Sequence, residues 1–197
     1  MEINNINNII DHLKFEDVND FYYIQIMKRK KDGHDINGNN RTRLIKSYCV
    51  KNKQYLLDKE DEIIKLSNLF NARVYIHMSP RNTKQIMEQA LIEVPTRYNS
   101  NYYNLINIFD SLCGKIYNKK KKTFLIDIDK EDLEGCYIIT KFMFDTFHLN
   151  PILINRSVSG LHFIYKPFNV KIFKDEYPNI DVQKNNPTLL YYNKINK

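Results

Sequence analysis

The residue pattern with the clearest chemical meaning is a pair of carboxylates at the end of an apolar stretch. Asp127 and Asp129 close the segment TFLIDID, whose preceding residues are mostly apolar. In an extended strand, side chains two residues apart point to the same face, so the two carboxylates would lie side by side. Neighbouring carboxylates repel each other unless a cation lies between them, and oxygen ligands of this kind suit Mg²⁺ or Mn²⁺. The alternative is that both acids cap the following helix or face solvent, because exposed Asp pairs are common.

Two further segments carry polar residues in strand-like surroundings. His162 follows the turn Ser159-Gly160 and lies near the start of LHFIYK, where it shares a face with Lys166. A His and a Lys projecting together near bound metal could hold a triphosphate, although a single His is more often an ordinary buried or surface residue. Asp181 lies between apolar residues in NIDV, and Asp175, a little earlier in a more polar stretch, is a competing carboxylate.

The order of these segments resembles the three motifs of archaeo-eukaryotic primases and primase-polymerases. LIDID matches motif I, which is hydrophobic-Asp-hydrophobic-Asp. SVSGLH matches motif II, a small residue, any residue and then His, and NIDV matches motif III, an Asp between hydrophobic residues. The segment VYIHMSPRN also looks like the strand and Asn-Pro-Arg turn of phage and plasmid members, with Ser79 in place of the Asn. The resemblance covers roughly residues 73–192.

The resemblance implies a metal-dependent, template-directed nucleotidyltransferase, a minimal DNA primase or primase-polymerase of phage or plasmid DNA replication. It implies that Asp127, Asp129 and Asp181 bind Mg²⁺ or Mn²⁺. His162 would contact the phosphates of the incoming nucleotide. It would lie on a strand next to that of Asp127 and Asp129 and face the same cleft. The other implied nucleotide-binding residues are Ser159, Gly160, Lys166 and Arg81. The family's zinc-binding stem and helicase domain have no counterpart in the sequence, which favours nucleotidyl transfer over initiation of primers.

The charge of the chain suits a nucleic-acid partner. The formal net charge is +7, with basic blocks at residues 28–31 and 119–122. Basic surfaces attract phosphate backbones and release their counterions, although a solvated loop explains either block equally well. We interpret the second block as the candidate site for a single-stranded DNA template, namely Lys119, Lys120, Lys121 and Lys122. The expected partners are this template, nucleoside triphosphates and a separate replicative helicase.

Two other functions fit the same residues. The chain could be an inactive primase fold that binds nucleic acid or a protein, although the three Asp residues all in place favour activity. It could also be a metal-dependent nuclease. A rolling-circle Rep nuclease needs a His-hydrophobic-His motif and a nucleophilic Tyr, and the lone His77 in YIHM does not supply the first.

The elements that must position these residues alternate irregularly. We predict a single α+β domain over residues 1–197, in which a smaller N-terminal α/β module (about 1–100) precedes an RRM-like, mainly antiparallel catalytic sheet flanked by helices (about 101–197). The predicted strands are 21–27, 44–50, 73–78, 123–129, 151–155, 161–166, 179–182 and 189–192. The predicted helices are 58–70, 83–93, 102–118 and 133–147, and residues 32–43 are a predicted loop.

The remaining composition excludes several classes of protein. No apolar run is long enough to span a bilayer, and the N-terminus lacks the pattern of a signal peptide, so a cytoplasmic location is expected. The three cysteines are scattered and show no metal-ligand spacing, so each is expected to be a small apolar core residue.

Overall fold

The computed structural model describes residues 1–30, 42–98, 107–129 and 133–194, and its α+β class is as predicted. The described ranges contain the helices α1 (Ile6–Ile10), α2 (Lys53–Phe70), α3 (Thr83–Tyr98), α4 (Ile108–Lys115), a 3₁₀ helix (Lys119–Lys121), α5 (Leu133–Phe147) and α6 (Val170–Glu176). The strands are β1 (Glu2–Asn4), β2 (Asp20–Lys28), β3 (Arg43–Val50), β4 (Arg73–Ile76), β5 (Arg81–Asn82), β6 (Phe124–Ile128), β7 (Leu153–Arg156), β8 (Leu161–Tyr165), β9 (Asp181–Lys184) and β10 (Thr188–Asn193).

Six of the strands form the first sheet, in the order β1-β10-β4-β2-β3, with β5 also paired to β2. The predicted hairpin of β2 and β3 is confirmed, and most of its loop lies outside the described residues. β1 pairs with β10, so the first and last described strands are neighbours. The first sheet therefore takes strands from both sides of residue 100.

Helix bounds depend on local capping that the apolar pattern does not show. α2 begins five residues before the predicted start because the side chain of Asn52 accepts a hydrogen bond from the backbone N–H of Tyr55 at 2.7 Å. Its C-terminal cap is Asn71, whose φ of 45° lies in the left-handed region and ends the helix. α4 ends at Lys115, before the predicted bound, because Ile116 adopts extended backbone. Residues 102–106 of that predicted helix lie outside the described residues.

The second sheet has four strands in the order β7-β8-β6-β9, all paired antiparallel. Along the chain its elements follow the order β6-α5-β7-β8-α6-β9. One face carries Ile126 and Phe163, which pack against α5 and α6 in a single buried cluster. The opposite face carries Leu125 and, by period two, Asp127. The helices therefore leave the carboxylate face free to meet the first sheet.

The two sheets share one core. Leu125, Leu153 and Ile164 of the second sheet belong to the same buried cluster as residues of the first sheet, such as Ile24 and Val74. The carboxylate end of β6 therefore lies where the second sheet meets the first. Across the four described ranges, no helix has both the length and the apolar character needed to cross a membrane.

Candidate active site

Three of the predicted site residues form a row across adjacent strands. In the register of the second sheet, Asp127 lies opposite His162 of β8 on one side and Asp181 of β9 on the other. Directly paired residues of antiparallel strands project to the same face, with Cβ atoms about 4.5–5.5 Å apart. Nε2 of His162 lies 3.5 Å from Oδ1 of Asp127. The expected placement of His162 and Asp127 on neighbouring strands, facing one cleft, is confirmed.

The turn between β7 and β8 closes onto the end of β6. The hydroxyl of Ser159 donates to Oδ1 of Asp129 at 3.1 Å, and the backbone N–H of Gly160 donates to Oγ of Ser157 at 3.0 Å. A Cβ on Gly160 would lie 2.8 Å from the carbonyl carbon of Asp129 and closer still to the carbonyl oxygen of Ile128. Only glycine allows the turn to approach β6 so closely, so Gly160 places Ser159 beside Asp129.

These residues line a cavity of about 90 Å³ where the second sheet meets the first. The second sheet and its turn contribute Asp127, Asp129, Ser157, Val158, Ser159 and His162. The first sheet and its flank contribute Arg29, Arg73, Tyr75 and Leu189. A cavity of this size can hold a phosphate-sized group.

The two arginines of this cavity were not among the predicted site residues. Nη1 of Arg29 donates to the hydroxyl of Tyr75 at 3.1 Å, and the guanidinium of Arg73 lies 5.1 Å from the ring centroid of Tyr192. Tyrosine contacts of this kind orient a guanidinium without neutralising it. Arg29 belongs to the first basic block, and Arg73 shares a face of β4 with Tyr75. Neither feature of the sequence indicates that these arginines face the carboxylates of the second sheet. The cavity thus places positive charge opposite Asp127 and Asp129.

Burial controls the charge of the histidine in this site. His162 is 9% exposed, and burial lowers its pKa to about 4, although the nearby negative charge of Asp129 favours protonation. The ring is therefore neutral near pH 7. Nδ1 of His162 lies 2.9 Å from the hydroxyl of Thr188, a fully buried residue at the start of β10. At neutral pH the contact with Asp127 is one between a neutral imidazole and a carboxylate.

The proposed third carboxylate lies beside this cavity. Asp181 is exposed, and one of its oxygens accepts a hydrogen bond from the side chain of Gln183 at 2.5 Å. Its competitor Asp175 is exposed on α6, whose Phe173 packs with the face of β6 opposite to Asp127. The strand register therefore favours Asp181 over Asp175 as the partner of Asp127.

The carboxylates match a divalent cation in their chemistry. Asp127 and Asp129 supply the oxygen donors that Mg²⁺ and Mn²⁺ prefer. Within residues 1–30, 42–98, 107–129 and 133–194, no three His, Cys, Asp or Glu side chains are grouped closely enough to hold one metal ion. A bound cation would therefore take its further ligands from a substrate or from water, or require Asp181 to turn inward.

Two predicted cations lie elsewhere. Arg81 is fully buried; its Nε donates to the carbonyl of Cys113 at 2.7 Å, and its Nη1 donates to the carbonyl of Ser79. It ties β5 to α4 and does not line the cavity. Lys166 is exposed just beyond the far end of β8 and does not line the cavity either. The cationic side chains that line the cavity are instead those of Arg29 and Arg73.

The second basic block divides into two pairs. Lys121 pairs with Asp20 at 2.6 Å, and the ammonium of Lys122 lies 4.8 Å from the ring centroid of Phe124. Lys119 and Lys120 are exposed and line a groove of about 760 Å³ beside α3. Lys119 and Lys120 are therefore the more exposed pair of the block, and Lys121 and Lys122 are half-buried.

Comparison of the chain with models of protein families, with curated proteins and with solved structures gave no match. The geometry of the cavity is therefore the basis for assigning a function.

Proposed function

We propose that the chain is a metal-dependent, template-directed nucleotidyltransferase, a minimal DNA primase or primase-polymerase of phage or plasmid DNA replication. The observation that carries the proposal is the cavity in which Asp127, Asp129 and His162 face two arginines. Carboxylates suited to a divalent cation, opposed by guanidinium groups that suit phosphate oxygens, match a nucleoside triphosphate and its metal.

Each side chain has a distinct role in the proposed reaction. The 3′-hydroxyl oxygen of the growing strand bonds to the α-phosphorus of the nucleotide and releases its proton to water, and the bond from that phosphorus to the bridging oxygen of pyrophosphate breaks. Asp127 and Asp129 would hold two divalent cations, with Asp181 completing the site, and these cations would supply charge stabilisation for the transferred phosphate. Arg29 and Arg73 bind the phosphate oxygens that gain negative charge.

The histidine acts as a neutral hydrogen-bond donor in this proposal. Because burial keeps His162 uncharged near pH 7, it orients a phosphate oxygen while the arginines supply the positive charge. Ser159 holds one oxygen of Asp129 through its hydroxyl and so limits the orientations that this carboxylate can adopt.

The element order of the second sheet supports an RRM-like catalytic module. Its order β6-α5-β7-β8-α6-β9 is a βαββαβ arrangement, and the strands lie in the order β7-β8-β6-β9. In this arrangement the first and third strands are the central pair, and they carry Asp127 and His162. The residues expected to do the chemistry therefore lie at the centre of the sheet, where their backbone is held on both sides.

The decisive experiment is incubation with labelled nucleotides, single-stranded DNA, with and without an annealed primer, and Mg²⁺ or Mn²⁺. We expect nucleotide incorporation by the wild type and a loss of more than about 100-fold in Asp127→Asn, because removing a metal ligand should cost more than removing one of its supporting contacts. Glu134→Gln, which removes a carboxylate from the exposed side of α5, is the matched control and should keep full activity. Degradation of the DNA would instead indicate the nuclease, and binding without incorporation the inactive module.

The template contact can be tested separately. DNA affinity should fall steeply with salt, because lysine contacts to phosphates release counterions. Lys119→Gln combined with Lys120→Gln should weaken binding and reduce the salt slope, whereas Lys122→Gln should change neither by as much, because its ammonium lies on Phe124. Binding that does not depend on ionic strength would indicate a protein partner instead.

A further inference from the structure

A row of hydrogen-bonded side chains lies behind His162 and reaches back to α1. Asn8 Nδ2 lies 2.8 Å from Asn155 Oδ1, Asn155 Nδ2 lies 3.4 Å from Thr188 Oγ1, and Thr188 Oγ1 lies 2.9 Å from His162 Nδ1. Asn155 is 1% exposed and Thr188 is 0% exposed. Buried polar groups of this kind are held in one orientation, because water cannot replace a lost partner.

One end of the row fixes the direction of every hydrogen bond in it. Asn8 Nδ2 also lies 2.9 Å from the backbone carbonyl oxygen of Ile154, and a carbonyl oxygen can only accept. The amide nitrogen of Asn8 therefore faces both Ile154 and Asn155, so the Asn155 atom that it meets must be the oxygen. The nitrogen of Asn155 then faces Thr188 and donates to its hydroxyl oxygen.

The hydroxyl hydrogen of Thr188 determines which ring nitrogen of His162 carries a proton. Because the Thr188 oxygen accepts from Asn155, its own hydrogen is free to be donated to Nδ1 of His162. Nδ1 is then an acceptor, and the ring carries its proton on Nε2, the nitrogen that lies 3.5 Å from Asp127. A proton on Nδ1 would instead leave the buried Thr188 hydrogen with no acceptor among the described residues.

We propose that Thr188 is a positioning residue that holds the proton of His162 on Nε2, so that an N–H donor faces the cavity. The tautomer follows from the hydrogen-bond row alone, whereas its use to orient a nucleotide phosphate rests on the proposed nucleotidyl transfer. The inference assigns a role to α1 and β10, which lie outside the predicted motifs. A supporting partner on the second ring nitrogen is how buried histidines are commonly fixed in one tautomer.

The tautomer can be read directly by nitrogen NMR of protein labelled with ¹⁵N-histidine, at pH 7. The signal of His162 is assigned by its loss in His162→Gln, and the signal of the buried His77 reports whether each variant is folded. We expect the wild type and Thr188→Ser to show a protonated Nε2 and an unprotonated Nδ1. Thr188→Val lacks the hydroxyl and should show a mixture of the two tautomers. A wild type protonated on Nδ1, or a folded Thr188→Val with an unchanged tautomer, overturns the proposal.

A second variant tests the direction of the row. In Asn155→Asp the introduced carboxylate can only accept, so it should take the Thr188 hydrogen and leave the hydroxyl oxygen as an acceptor. His162 should then be protonated on Nδ1, the reverse of the wild type. Retention of the Nε2 proton in this folded variant would contradict the role of Thr188.

The catalytic consequence is measured independently of the tautomer. Thr188→Val should raise the KM for the nucleotide about tenfold with a smaller change in kcat, as expected for loss of a supporting hydrogen bond, and Thr188→Ser should restore it. If the wild type has the Nε2 tautomer but transfers no nucleotide, the proposed function fails and the positioning by Thr188 stands. If Thr188→Val shifts the tautomer but leaves the KM unchanged, the positioning role in nucleotide binding is overturned.

Discussion

Two turns of the molecule contain the same kinds of residues in different surroundings. The first, residues 77–82, has a histidine, a serine and an arginine between β4 and the start of α3. The second, residues 156–162, has an arginine, serines and a histidine between β7 and β8. We refer to them as the Arg81 turn and the His162 turn. Both turns contain predicted candidates for binding a nucleotide: Arg81 in the first, and Ser159, Gly160 and His162 in the second.

The structure directs their polar groups to different partners. In the Arg81 turn, Nδ1 of His77 lies 3.2 Å from the carbonyl oxygen of Asn185, and Arg81 donates to two backbone carbonyls. In the His162 turn, Ser159 and His162 contact the carboxylates of β6 and line a cavity. The polar groups of the Arg81 turn therefore make hydrogen bonds within the fold, whereas the His162 turn faces a cavity that a ligand can enter.

The comparison teaches that a cation and a histidine in a turn do not by themselves indicate a phosphate site. The distinguishing feature is the group that they face. Two nitrogens of the buried Arg81 guanidinium donate to backbone carbonyls of the fold, whereas Asp127, Asp129, Arg29 and Arg73 line a cavity.

The largest effect is expected from a substitution that disrupts the His162 turn itself. Gly160→Ala should lower the free energy of unfolding by about 3 kcal/mol or more and abolish transfer, because its Cβ would overlap the backbone of β6. Gly114→Ala, in α4 near the Arg81 turn, is the matched control. Its Cβ would meet nothing within 4 Å, so it should raise stability by up to about 1 kcal/mol. Urea unfolding of the two variants measures both effects, and equal effects would contradict the close approach.

Substitutions of Arg81 and of Arg29 should affect different properties, the first mainly stability and the second mainly nucleotide binding. Arg81→Met should lower the free energy of unfolding by roughly 2 to 4 kcal/mol, because two buried carbonyls lose their donor. Its nucleotide KM should not change. Arg29→Met should leave the Tm nearly unchanged and raise the KM for the nucleotide at least about tenfold, since it removes a charge-assisted hydrogen bond to phosphate. The opposite assignment of the two effects would return Arg81 to the site.

A substitution of Asp181, the proposed third carboxylate, tests whether the site extends from the His162 turn to β9. Asp181→Asn should reduce nucleotidyl transfer by about 100-fold or more while the protein stays folded, because Asp181 lies directly opposite Asp127 in the sheet. Stabilisation of the protein by Mn²⁺, measured as a rise in Tm, should shrink in this variant. Asp175→Asn is the control and should behave as the wild type. Loss of activity in Asp175→Asn alone would move the third ligand to α6.

The smallest expected effect is a difference in acid sensitivity between the two turns. Burial and, secondly, the nearby charge of Arg81 together lower the pKa of His77 from 6.5 to about 3. The folded protein therefore prefers the neutral ring, so stability from this group is complete above pH 6.5 and falls as the pH decreases toward 3. His77→Gln should flatten the decline in urea midpoint between pH 7 and pH 4. His162→Gln should flatten it less, because the pKa of His162 is lowered only to about 4.

Local patterns in the sequence were sufficient for most of the secondary structure near the site. The apolar run that ends in Asp127 predicts β6, and α5 spans the predicted residues, because burial of one face imposes a period that can be read directly. α6 was not predicted, since a short helix with one buried residue, Phe173, leaves too weak a period.

The placement of Asp127 beside His162 was also accessible from the sequence. The order of the motifs and the period of two in each strand determine which side chains share a face. The strand register then brings the pair together.

Only the tertiary structure decided which cations complete the site. Arg73 begins β4 and Arg29 directly follows β2, so the two arginines meet the carboxylates only where the two sheets pack. Thr188 reaches His162 because β10 returns to pair with β4. Contacts between residues far apart in the chain depend on how strands pair and sheets pack, and these are set by the burial of the whole core rather than by any local pattern. The sequence by itself therefore determined the carboxylates and the histidine, while long-range packing determined the arginines and the hydroxyl that support them.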